Sequence, residues 1–74
     1  MKVHLCYQHG NVKIKWNLPF FPRTGEYIST AELLTEKELE KLGAESDYLQ
    51  IINISWFLYK DRKRSSVEIL LEYV

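Results

Sequence analysis

Few side chains in this 74-residue sequence are spaced to do chemistry together. The run His4-Leu5-Cys6-Tyr7-Gln8-His9 holds the densest set of metal-capable groups. His4 and Cys6, two apart, share the outer face of a strand, and His9 falls in the turn after it. Three ligands with no Cys pair at zinc spacing fall short of a structural zinc site, so no metal is expected. A Cys6 nucleophile would need a base and a group to orient it. His4 is near, but residues 1–25 contain no carboxylate. A strand cysteine of this kind behaves as a small inert hydrophobe. The pairs Glu32/Glu36 and Glu36/Glu40 have helical spacing and read as a solvated face. Gly10, Gly25 and Gly43 are each claimed by a turn or a helix end, so none builds a phosphate loop. With neither a triad nor an acid–base pair, the chain is expected to be non-catalytic, with no catalytic residue and no cofactor.

Charge is more informative than these clusters. The formal net charge is zero, yet the two signs are segregated along the chain. Residues 1–25 carry Lys2, Lys13, Lys15 and Arg23 with no acid, whereas residues 26–47 carry seven acids against Lys37 and Lys41. A second basic run, Lys60-Asp61-Arg62-Lys63-Arg64, follows. Lys13, Lys15, Arg23, Arg62, Lys63 and Arg64 therefore form the candidate binding patch, with Phe20, Phe21 or Tyr59 as nearby exposed rings. Small barrels bind single-stranded nucleic acid in this way, by phosphate contacts and base stacking. Against that reading, a dedicated nucleic-acid binder is usually basic overall. A module for protein–protein contact, including self-association as a homodimer, demands less, since an acidic helix and a basic hairpin suit steered docking. It is the preferred reading, with nucleic acid as the alternative.

Several elements must position these groups. Val3, Leu5 and Tyr7 alternate with polar neighbours, as do Val12, Ile14 and Trp16, and each set predicts a half-buried strand. The intervening Gln8-His9-Gly10-Asn11 predicts a tight hairpin with its turn at His9-Gly10 or Gly10-Asn11. Pro19 stops regular pairing, and Pro22 to Gly25 predicts a turn into a short strand at Glu26–Ile28. Pro19-Phe20-Phe21-Pro22 has the spacing of a polyproline ligand, but two bulky rings suit a turn or edge segment better. Thr35-Glu36-Lys37-Glu38 is a capping box, with Leu34 and Leu39 at hydrophobic-staple positions and Gly43 as terminator. These predict a helix over 36–42, preceded by a helical turn at Ala31–Leu34. Residues 47–59 predict a long strand, apolar on both faces and hence internal. Val67, Ile69, Leu71 and Tyr73 predict a last strand, ending at Val74 and lying on an edge.

The order ββ, short β, α, β, β predicts a single α+β domain over 1–74, rich in β. Its architecture is a small, strongly bent antiparallel sheet or partly open SH3-like barrel of about five strands, with one short helix near residues 36–42. Hydrophobic residues at 46% exclude a disordered tail. No apolar run reaches the ~18 residues of a membrane span, and no basic-then-apolar signal peptide opens the chain. The lone Cys6 fits a reducing, cytoplasmic setting. So short a chain buries only about 60% of its extended surface. The two Trp, three Phe and five Tyr are therefore expected to be spent on the core.

Three blocks carry a resemblance: Pro22-Arg23-Thr24-Gly25-Glu26-Tyr27-Ile28, Ile52-Asn53-Ile54-Ser55-Trp56 and Val67-Glu68-Ile69-Leu70-Leu71. Together they resemble a family of short uncharacterised bacterial β-rich proteins. Those carry a Pro-Arg-x-Gly-Asp/Glu-x-Ile turn, a Val/Ile-x-Trp strand and a Val-x-Ile-x-Leu strand. Glu26 stands where Asp is commoner. The resemblance implies a compact bacterial β-domain and brings no activity with it.

Overall fold

The last strand organises the molecule. In the computed structural model, which describes residues 2–73, β5 (Ser66–Glu72) buries Val67, Ile69 and Leu71 almost completely. It is flanked on one side by β1 (Lys2–Tyr7) and on the other by β4 (Tyr48–Phe57). The expectation of an edge strand is thus corrected: β5 is central. Three apolar residues at alternate positions suit a strand paired on both sides and covered on one face. Val74 lies outside the described residues.

β2 (Gly10–Ile14) pairs with β1, and β3 (Tyr27–Ser29) pairs with β4, so the sheet order is β2-β1-β5-β4-β3. The result is a curled, five-stranded half-barrel in a β-rich α+β domain, as the pattern predicted. One ladder departs from an all-antiparallel sheet. β1 and β5 run parallel, with Val3 opposite Val67 and Leu5 opposite Ile69. The other three ladders are antiparallel.

Helix α2 (Glu36–Leu42) has the predicted ends. The Thr35 hydroxyl accepts from the Glu38 N–H, the Glu38 carboxylate accepts from the Thr35 N–H, and Gly43 adopts a left-handed φ of 75°. A single turn, α1 (Thr30–Leu33), precedes it. Buried Thr30 anchors α1: its hydroxyl donates to the Ser46 carbonyl at 2.7 Å and its N–H to the Asp47 carbonyl at 2.9 Å.

Neither predicted hairpin register forms. Leu5 faces Val12 and Tyr7 faces Gly10, so the two-residue turn is Gln8-His9, with Gln8 at φ 52°. Gly10 serves packing instead. A Cβ there would strike the backbone carbonyl of Leu42, so the glycine lets the end of α2 lie against β2.

Strand β4 contains a bulge between Ile51 and Asn53. The extra residue restores Leu49, Ile51, Ile54 and Trp56 to one face, opposite Leu71, Ile69 and Val67. Strict alternation had divided these residues between two faces.

The core itself is aliphatic: Val3, Leu5, Val12, Ile14, Ile28, Leu34, Leu42, Leu49, Ile51 and the three β5 residues, with Tyr7 its only buried ring. This corrects the expectation that the aromatics are spent inside. Trp16 is half-buried. Phe20, Phe21, Tyr27, Tyr48, Trp56, Phe57, Tyr59 and Tyr73 are all exposed. Twelve branched aliphatics make this core, with α2 packed over β2 and β1.

Candidate interaction surfaces

Register gathers charge at one end of the sheet. β1 starts there, β2 and β4 finish there, and β5 begins there. Lys13 lies opposite His4 on the outer face, and Lys15 follows β2 at the same end. Arg62, Lys63 and Arg64 form the tip between β4 and β5. That tip is a built turn rather than a loose polar loop. The Asp61 carboxylate accepts from the Lys63 N–H at 2.9 Å, and the Arg64 N–H donates to the Asp61 carbonyl at 3.1 Å. Buried Ser65 accepts from the Tyr59 N–H and donates to the Tyr59 carbonyl, closing the loop. The Arg64 guanidinium lies 4.7 Å over the Tyr59 ring, in cation–π contact.

Arg23 is placed elsewhere. The predicted turn is shifted by one residue, with the Glu26 N–H donating to the Arg23 carbonyl and Gly25 at φ 96°. The Gly25 N–H donates to the Ile51 carbonyl at 2.7 Å and the Ile51 N–H to the Glu26 carbonyl at 2.8 Å. The turn, and Arg23 with it, is therefore fastened to the middle of β4, five residues from Trp56. Five of the six candidate residues share one end, and Arg23 marks a separate position.

His4 and Cys6 do share the outer face, half-buried, beside Glu68 and Leu70 of β5. The Asn11 amide donates to the Cys6 sulfur at 3.4 Å. Burial, and after it the Glu68 carboxylate, push the Cys6 thiol above its ordinary pKa. Its surroundings therefore favour the protonated thiol, the poorer nucleophile. Among the described residues no three His, Cys, Asp or Glu side chains converge. No described helix is long and apolar enough to cross a membrane.

The larger surface feature is apolar. The segment after β2 folds back on itself, with the Trp16 indole N–H donating to the Phe20 carbonyl at 2.7 Å. The Phe21 ring stacks on Trp16 at 5.3 Å and meets Trp56 edge-on at 5.1 Å. This ladder of three rings ties the segment to the far end of β4. It also leaves an open groove of about 430 Å³ between residues 16–22 and β3, within the ~300–1,000 Å³ common for ligand sites. Trp16, Leu18, Phe20, Tyr27 and Leu33 line it, and Glu26 and Glu32 are its charged members.

Pattern reasoning missed this groove. Leu18-Pro19-Phe20-Phe21-Pro22 has no period that puts its rings on a core face, and that aperiodicity is the signal that was present. Comparison of the chain with family models, curated proteins and solved structures returned no match.

Proposed function

We propose that this chain is a non-catalytic interaction domain that meets a macromolecular partner through the rings left outside its core. The observation that carries the reading is the exposure of eight of the ten aromatic side chains. The accessible surface agrees with it. At 5606 Å² it exceeds the roughly 4,800 Å² of a self-contained fold of this mass. Where exposed apolar side chains are contiguous, at Leu18, Phe20 and Tyr27 around one groove, they form the kind of apolar patch that marks a contact surface. Self-association is one form of the reading, and a reducing bacterial cytoplasm is the proposed setting, from the lone Cys6 and the resemblance above.

Panning a random peptide library on the purified domain tests it. Enrichment of peptides whose binding is lost in Phe20→Ala is the expected outcome; failure to enrich contradicts it. Light scattering of the same protein reads self-association as a mass above that of one chain. The nucleic-acid alternative has its own specific support, the exposed Tyr59 ring under the Arg64 guanidinium at the basic tip. Salt-dependent binding of a mixed single-stranded oligonucleotide, abolished by charge removal at that tip, would replace the first reading with the second.

A further inference from the structure

We infer that the groove beside β3 is a strand-addition site, taking an extended partner peptide that alternates apolar residues with lysine or arginine. The inference rests on the interaction-domain reading and names its ligand class. Four observations converge on it.

First, β3 is an edge strand with its backbone unspent on one side. Glu26 turns its carbonyl to Ile51, and Thr30 turns its N–H to Asp47. By alternation Ile28 also faces β4, so the N–H and C=O of Tyr27, and the N–H of Ser29, point away from the sheet. Second, that side opens into the groove, whose lining includes Glu26, Tyr27, Ile28 and Ser29 in succession. Third, the wall opposite is a run of apolar groups, Trp16, Leu18 and Phe20, held in place by the indole–carbonyl bond and the ring ladder. A strand laid on β3 gains backbone pairing from one wall and apolar contact for alternate side chains from the other. Fourth, the charged residues in the lining are Glu26 and Glu32, both acidic, and the Glu26 carboxylate also accepts from the Arg23 backbone N–H in the adjoining turn. They favour a basic ligand and oppose a second copy presenting the same rim, which would set like charges together.

The edge's one evident protection is its length of three residues. Tyr27-Ile28-Ser29 carries no lysine, proline or bulge of the kind that blunts exposed edges. A half-barrel that stops at β3 is therefore open at the position where one more strand would extend it.

The test uses the purified protein and a capped heptapeptide alternating valine and lysine. Titration followed by amide NMR shifts should move Tyr27, Ser29 and the Trp16 indole N–H. Two N-methylated forms of the peptide, blocking alternate backbone N–H groups, should behave differently. One parity abolishes binding and the other keeps it, because only one set of amides faces β3. A valine–glutamate heptapeptide should bind more weakly. Glu32→Gln should weaken the lysine peptide about threefold, the range of an exposed ion pair.

Equal tolerance of both N-methylated forms, or shifts confined to the basic tip, overturns the inference. So does protection of the Tyr27 amide in the free protein together with dimer mass, since a second copy would then hold the edge. Failure of the heptapeptide while panned ligands still bind through Phe20 overturns strand addition and leaves the interaction-domain reading intact. Failure of both removes both.

Discussion

The aliphatic core and the aromatic segment after β2 divide labour in opposite ways. In the core, Leu49, Ile51, Val67, Ile69 and Leu71 are sealed from water and make a dry aliphatic layer. Around the segment after β2, Phe20, Phe21 and Trp56 are larger side chains yet remain exposed. The larger side chains thus hold less of the fold than the smaller ones. Stability follows area removed from water, not the size of the residue, so branched aliphatics at full burial outweigh rings at partial burial.

This contrast breaks first in the core. Ile69→Ala removes a fully buried side chain from the central strand and should cost about 2–5 kcal/mol in urea unfolding. A smaller loss would mean that the sheet collapses around the gap and is less tightly packed than it looks. Gly10→Ala should cost about 1–3 kcal/mol, since α2 must retreat from its Leu42 carbonyl. A neutral result would show that α2 has room to slide.

Trp56→Ala sharpens the comparison at the boundary. At 45% exposed, with one edge-on contact to Phe21, it should cost about 1–2 kcal/mol, well short of the ~3–5 kcal/mol of a core tryptophan. Denaturant midpoints for Trp56→Ala and Ile69→Ala, taken together, give the ordering directly.

The smallest effect lies on the outer face at Cys6. Its raised pKa favours the protonated thiol, so iodoacetamide should react more slowly with folded than with urea-unfolded protein at mildly alkaline pH. The linked stabilisation is fully present below the thiol's ordinary pKa and fades as pH climbs past the raised value. Glu68→Gln should narrow the difference in rate without closing it, because burial is the larger cause.

Local signals in the chain were legible where they are chemically complete within a few residues. The Thr35–Glu38 capping box and Gly43 located α2 to the residue. Alternation at Val3-Leu5-Tyr7 and Val67-Ile69-Leu71 located the faces of β1 and β5. Features that depend on distant neighbours were not legible. A period of two cannot reveal the residue inserted at Ile51–Asn53, so β4 read as two-faced. The parallel β1–β5 ladder joins the two ends of the chain, and no short window contains both. Gly10 looked like a turn glycine because its actual neighbour, Leu42, is far along the sequence. The basic tip was named residue by residue, and register united it with Lys13 and Lys15. The groove escaped because it exists only where residues 16–22 come to face β3.

The central claim is that rings bordering the open side of the half-barrel are kept for contact rather than for holding the fold. Urea unfolding of Phe20→Ala tests it most directly. With Phe20 at 62% exposed, the account predicts a free energy of unfolding within about 0.5 kcal/mol of the parent. A loss of about 3–5 kcal/mol, the cost of truncating a core phenylalanine, would contradict it.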